Sequence, residues 1–132
     1  MLHSMLDTNV CIRALRKNFP HIRKRLEAER GTLCISTIIL HELYVGGELS
    51  ERPDHQSEVI DAFTSRLQVL DFDAEAAFHA ASIRADLTKR GQLIGPNDIL
   101  IAGHARSLGL KLITGNLQEF TRVDGLRCED WL

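Results

Sequence analysis

The chain has 132 residues, 44% of them hydrophobic and 26% charged, with a formal net charge of −2, which fits one soluble globular domain spanning 1–132 with length enough for a core. No apolar run approaches the ~20 residues of a membrane span, and the opening Met1-Leu2-His3-Ser4-Met5-Leu6-Asp7 lacks the basic flank and long apolar stretch of a signal peptide. Three cysteines (Cys11, Cys34, Cys128), odd in number and without a C-x-x-C pair, argue against a disulfide framework or structural zinc and point to a reducing cytoplasm. Charge is unevenly spread. Residues 1–30 hold seven Lys/Arg against three Asp/Glu, and the remainder nine against fifteen. A basic first quarter is either a solvated helix face or a phosphate-contacting patch.

In chain order, Leu2–Leu6 reads as a strand, followed by a short helix from about Asn9 to Leu15. Pro20 suits the first turn of a second helix with Ile22 and Leu26 on its buried side. Thr32–Ile35 is a short buried strand, and Ser36 is a good N-cap for a helix carrying Ile39, Leu43 and Gly46–Gly47. After the polar break Glu51-Arg52-Pro53-Asp54, Val59, Ile60, Phe63 and Leu67 fall at helical spacing, and Gln68–Asp71 reads as a third strand. Asp73 caps a long helix with Ala76, Ala80, Ile83 and Leu87 inward, closed by Gly91. Gly95-Pro96-Asn97 starts another, with Ile101, Ala102, Ala105 and Leu108 inward and Gly109 as its stop. Leu110–Ile113 is a fourth strand and Gly125–Cys128 a fifth, at an edge. Short strands separated by helices imply an α/β fold, a three-layer α/β/α sandwich around a mostly parallel sheet.

In such sheets ligands bind at the carboxyl ends of the strands, near a switch point. Asp7 ends the first strand, Glu42 lies in the helix leaving the second, Asp98 opens the helix before the fourth, and Glu119 follows that strand. All four acids map to one rim, with Thr114 and Asn116 as neutral oxygen donors beside them. Crowded carboxylates raise one another's pKa, and a hard divalent cation such as Mg²⁺ or Mn²⁺ is the usual reason to gather them. Each also has a plainer reading: Asp7 as a helix cap, Asp98 as a complement to a helix dipole, Glu119 as a solvated loop residue. Glu42 is the hardest to explain away. It shares a stripe with Ile38 and Val45 expected to face inward, and no Lys or Arg in its helix offsets it.

Met5-Leu6-Asp7-Thr8-Asn9, Ile35-Ser36-Thr37 with Glu42-Leu43-Tyr44-Val45-Gly46, Gly95-Pro96-Asn97-Asp98 with Ile101-Ala102, and Leu112-Ile113-Thr114-Gly115-Asn116 with Glu119-Phe120 resemble the PIN-domain family, most closely its VapC-type toxins of bacterial toxin–antitoxin pairs. The likeness runs to the closing Glu129-Asp130-Trp131. It implies a PIN-like doubly wound fold and a Mg²⁺- or Mn²⁺-dependent endoribonuclease that cuts structured RNA, tRNA in particular, and stops translation. It also implies a cognate VapB-type antitoxin over the site and a toxin homodimer. By the same likeness Asp7, Glu42, Asp98 and Glu119 are the metal-holding and catalytic acids. The fourth position varies between relatives, and an Asp or Asn near Asn116 can share its role. Many relatives carry a bulkier residue where this chain has Gly115.

The chemistry so implied is phosphodiester hydrolysis. Thr8, Asn9, Ser36, Thr114 and Asn116 are expected to hold water or a phosphate oxygen, and Arg13, Arg16, Lys17, Arg23, Lys24 and Arg25 to position the RNA backbone. One Trp, one Tyr and five Phe leave little stacking surface, which favours recognition of RNA shape. An apolar surface around Leu43, Tyr44 and Val45 is expected to meet the antitoxin. Two other classes remain. Phosphoryl transfer to an aspartate is disfavoured because the second acid it needs, two residues beyond Asp7, is Asn9. A non-catalytic RNA- or partner-binding module would keep a degenerate pocket. None of the six histidines is assigned to catalysis, and His104 reads as a core or surface residue.

Overall fold

The computed structural model describes residues 1–16 and 18–132. Lys17 lies outside the described residues, and with it the expectation that it contacts RNA. Five strands alternate with helices: β1 (Ser4–Leu6), α1 (Thr8–Leu15), α2 (Pro20–Ala28), β2 (Leu33–Ser36), α3 (Thr37–Glu48) and α4 (Pro53–Thr64). They continue as β3 (Gln68–Leu70), α5 (Ala74–Lys89), α6 (Pro96–Ser107), β4 (Lys111–Ile113), α7 (Leu117–Phe120) and β5 (Cys128–Glu129). The sheet order is β3-β2-β1-β4-β5. Every strand pair is parallel, with Met5 beside Cys34 on one side and Leu112 on the other.

This order makes β1 the switch point. The chain steps outward from β1 through β2 to β3, then returns by α5 and α6 to lay β4 on the other side of β1. Right-handed crossovers then put the two sets of helices on opposite faces, giving the expected three layers. The crevice between the ends of β1 and β4, where the connections diverge, is the place such sheets leave for a ligand. The central strands carry Met5, Leu6, Cys34, Ile35, Leu112 and Ile113, all fully buried, as a sheet covered on both faces requires.

Helix α6 is enclosed around most of its circumference: Ile99, Ile101, Ala102, Gly103, His104 and Ala105 are all buried. It packs most closely on α5. A Cβ added at Gly103 would stand 2.5 Å from the Ala80 backbone nitrogen and 2.7 Å from its Cβ, so the two helix backbones approach there only because residue 103 has no side chain.

Three expectations need correction. Leu108 is 46% exposed rather than inward, because the helix ends at Ser107 and Leu108 lies past the enclosed stretch. The last strand is Cys128–Glu129 rather than Gly125–Cys128: Gly125 has φ +79°, a left-handed turn conformation that no strand contains. In α3 the buried stripe is Ile39, Leu43 and Gly47. Val45 is exposed, and Ile38 and Glu42 are half-buried on the stripe's flank. Leu43 is therefore core, and only Tyr44 and Val45 of the expected antitoxin surface are exposed.

Gly103→Ala should cost about 1–3 kcal/mol, the range for overpacking a filled contact, because Ala80 meets the new methyl with backbone that cannot turn aside. The measurement is the urea midpoint. An unchanged midpoint would mean that α5 and α6 part without cost.

Candidate active site

Asp7 is built into the switch point by backbone and side chain together. Its amide extends the β1–β4 ladder by donating to the Ile113 carbonyl at 2.8 Å. Its Oδ1 accepts from the Thr8 amide at 2.8 Å, capping α1, and its Oδ2 accepts from the Thr114 hydroxyl at 2.7 Å. Asp7 is 5% exposed and Thr114 fully buried. The plain capping reading and the site reading of Asp7 thus hold at once. Burial pushes the Asp7 carboxyl above its ordinary pKa, and the bonds from Thr114 and Thr8 offset only part of that rise.

Glu42 comes from the second turn of α3, whose N-terminus is fixed at the end of β2 by the Ser36 hydroxyl accepting from the Ile38 amide at 3.1 Å. Burial first, and then the charge of Asp7, raise the Glu42 pKa. Its Oε1 is buried with no hydrogen-bond partner, as is the Thr8 hydroxyl. The Thr8 hydroxyl eases the Glu42 charge slightly by proximity but falls short of hydrogen-bonding geometry. An orphaned buried carboxylate oxygen is costly and calls for a partner from outside the chain.

Asp98 stands in the first turn of α6, whose N-cap is Gly95. A side chain at Gly95 would begin 3.2 Å from the Asp98 Oδ2, so glycine leaves that oxygen uncovered. Asp98 is raised from 3.8 to about 6, by burial first and then by the charges of Asp7, Glu119 and Glu42 in that order. One carboxyl therefore feels the other three. Glu119 is half-buried on α7, a single turn pinned by the fully buried Phe120. Among the described residues no Lys or Arg forms an ion pair with Asp7, Glu42, Asp98 or Glu119.

The neutral donors divide. Thr8 and Asn9 are half-buried beside Asp7, and the Asn9 Oδ1 accepts from the Gly115 amide at 3.3 Å. Thr114 and Ser36 are too buried to meet a substrate, contrary to expectation. The Thr114 hydroxyl is spent between Asp7 and the Asn116 amide. The Ser36 hydroxyl is spent between the Ile38 amide and His104 Nδ1, 2.8 Å away. Both position the site from beneath. Asn116, half-buried, opens the turn that carries Glu119.

The donor set fits a hard cation in its chemistry: carboxylates with hydroxyl and amide oxygens, an orphaned Oε1, and negative charge without internal compensation. It is not a finished cage. Among the described residues no three His, Cys, Asp or Glu side chains already converge as a ready metal site. A cavity of about 560 Å³ lies elsewhere and has none of the four acids in its lining. It is floored by Leu15, Leu26, Val59 and Phe63, with Arg23 and Lys24 along it.

The expected RNA contacts are thinned by the fold. Arg25 is committed to Glu129 at 2.7 Å and its guanidinium lies over the Trp131 ring at 4.8 Å. Arg13 lies over the Phe19 ring at 5.5 Å. Arg16, Arg23 and Lys24 are exposed. Sequence reasoning missed the Glu129 clasp, in which Lys111, Arg25 and the Trp131 indole all donate to one carboxylate. The pairing of a lone tryptophan with an acid two residues before it was the available signal.

A PIN-domain family model matches residues 4–126. The chain is 49% identical over 131 residues to the tRNA(fMet)-specific endonuclease VapC of Shigella flexneri, with 99% of each chain covered. It is 47% identical over 132 residues to the ribonuclease VapC2 of Haemophilus influenzae (strain Rd), covering 100% of both. Among solved structures, a chain of DNA-bound VapBC from Salmonella typhimurium is similar with a TM-score of 0.97 at 48% identity, covering 100% of each chain. A chain of VapBC2 from Rickettsia felis, bound to a DNA fragment from its promoter, gives a TM-score of 0.94 at 35% identity, covering 99% of this chain and 100% of that one. Matched along its whole length in sequence and in backbone, the chain belongs to the PIN-domain family.

Proposed function

We propose that this chain is a divalent-cation-dependent endoribonuclease that hydrolyses phosphodiester bonds in tRNA and acts as the toxin of a toxin–antitoxin pair, with a VapB-type antitoxin as its partner. The observation that carries the proposal is the set of four carboxylates at the switch point of the sheet, three of whose charges bear on Asp98 and one of which has an orphaned oxygen. The names of the relatives at 47–49% identity supply the substrate class, and initiator tRNA is the first substrate to try. The VapBC complexes of Salmonella typhimurium and Rickettsia felis, to whose chains this one is similar, supply the partner class. The cleft between α1, α2 and α4, apolar in its floor and basic along its rim, suits a segment of another protein. The reading includes a toxin homodimer and a cytoplasmic setting. No helix among the described residues is long and apolar enough to cross a membrane.

Asp7, Glu42, Asp98 and Glu119 would hold Mg²⁺ or Mn²⁺. When bound, such an ion supplies a water of lowered pKa and positive charge against the phosphate. The chain's own residues do the rest. Thr114 fixes the Asp7 carboxylate in one orientation. Glu42, its Oε1 uncommitted, is the group free to orient a water or accept its proton. The N-terminus of α6 adds a favourable field for an anionic substrate. Among the described residues, Arg16, Arg23 and Lys24 are exposed cations of the first quarter available to meet the backbone of the RNA.

Purified protein incubated with initiator tRNA and Mg²⁺ or Mn²⁺ should cut it, and a chelator should stop the reaction. Asp7→Asn should lower the rate at least about a hundredfold, since losing a charge that holds the ion removes several kcal/mol of transition-state stabilisation. Cleavage indifferent to chelator and to Asp7→Asn would refute cation-dependent hydrolysis at this acid site. RNA binding without cleavage would favour the non-catalytic module.

The raised pKa of Asp98 has a thermodynamic consequence in metal-free protein. A carboxyl whose folded pKa lies above its unfolded value contributes stability that is full below the unfolded value and lost as pH rises through the folded one. For Asp98 that window runs from 3.8 to about 6. In chelator, Asp98→Asn should therefore gain on the wild type as pH rises through the window, by on the order of 1–2 kcal/mol after allowance for solvent screening. Saturating Mg²⁺ should erase or reverse that gain by stabilising the wild type. Urea midpoints at pH 4 and 7 measure it, and a difference independent of pH would contradict burial and carboxylate crowding as the origin of the shift.

A further inference from the structure

We propose that His104 is a positioning residue: its hydrogen bond to Ser36 ties the helix bearing Asp98 to the N-terminus of the helix bearing Glu42, and so sets the separation of two acids that must share a divalent cation. The proposal rests on the nuclease reading above and assigns a role to a side chain outside the acid cluster.

His104 lies on the inner side of α6 and is 2% exposed. Its Nδ1 is 2.8 Å from the Ser36 hydroxyl, which is itself fully buried and accepts from the Ile38 amide at 3.1 Å. The one buried hydroxyl thus bonds both the Ile38 amide and the imidazole, so that Ser36 caps α3 and meets α6 at the same atom. Glu42 stands six residues beyond Ser36 on α3, and Asp98 six residues before His104 on α6. Among the described residues no other side-chain hydrogen bond joins α6 to α3 or its cap. The imidazole is also held edge-on by Phe72, with ring centroids 5.5 Å apart at 79°. Phe72 in turn is anchored by its amide donating to the Thr37 hydroxyl at 3.2 Å, in the first turn of α3.

A space-filling role would be served more cheaply by leucine, because a buried imidazole is costly unless bonded. Burial holds the His104 pKa below its ordinary value, with Asp73 and Asp71 opposing, so the ring is neutral and works through geometry rather than charge. Six residues of helix put it about 9 Å along the axis from Asp98, out of reach of any ion Asp98 holds.

The test compares His104→Asn, whose amide can take the place of Nδ1, with His104→Gln, whose amide lies one bond farther out, and with His104→Leu. Mn²⁺ affinity of the full chain is read by isothermal titration calorimetry, and melting temperature in chelator alongside it. His104→Gln and His104→Leu should lose about tenfold in Mn²⁺ affinity, the lower end for groups that orient metal ligands. His104→Asn should stay within about threefold of wild type. A lower melting temperature with unchanged Mn²⁺ affinity in all variants would overturn the proposal, as would equal losses in the Asn and Gln variants. If His104→Leu fails to fold, the Asn and Gln pair decides alone. Wild type that binds no Mn²⁺ overturns the metal reading itself and this proposal with it, an outcome distinct from a loss confined to the variants.

Discussion

Negative charge that the chain does not neutralise is the constraint on which the rest depends. Asp7 sits 5% exposed at the centre of the sheet, and Asp98 registers the charge of Asp7, Glu119 and Glu42. Elsewhere this protein pairs its charges freely: Arg90 with Asp86, and Arg25 and Lys111 with Glu129. Such pairing was available and is not used at the rim. Keeping four acids unpaired at one place costs folding free energy, a cost that makes sense where a cation and an anionic substrate arrive from outside.

Topology decides where that charge gathers. Because β4 returns to the side of β1 away from β2, Asp7 and Thr114 end adjacent strands although 107 positions separate them in the chain. Two short helical starts, capped at Ser36 and Gly95, then bring Glu42 and Asp98 to the same edge. Glu129 collects donors from α2, β4 and Trp131, and the Lys111 bond foremost keeps its carboxyl below the ordinary range. Glu129 and Asp7 are thus opposite uses of a carboxylate: one satisfied and stabilising, the other held poised.

Much of this was legible in the sequence, because strand and helix periods differ and because caps and glycine stops are chemically distinctive. Asp7, Ser36, Asp73 and Gly109 each marked an element boundary within a residue or two of where it falls. What stayed hidden depended on contacts between distant segments. Burial along α3 could not be read from Ile38 and Val45 alone, since α4 and the sheet, not the period, choose which flank of that helix is covered. Ser36 and Thr114 looked like exposed oxygen donors because nothing in the chain announces that His104 and Asp7 take up their hydroxyls. Arg25 looked free for the same reason: its partner Glu129 lies 104 positions away. Gly103, unremarkable in sequence, proves to be where α5 and α6 meet.

The most direct measurement of the central claim is the titration of the Asp98 carboxyl followed by carbon NMR, in chelator and in saturating Mg²⁺. The account predicts a midpoint near 6 without the ion, set by burial and by the neighbouring acids, and a fall to below 3.8, the ordinary value, once the ion is bound. A carboxyl that titrates near 3.8 in chelator, or one whose midpoint ignores Mg²⁺, would contradict it.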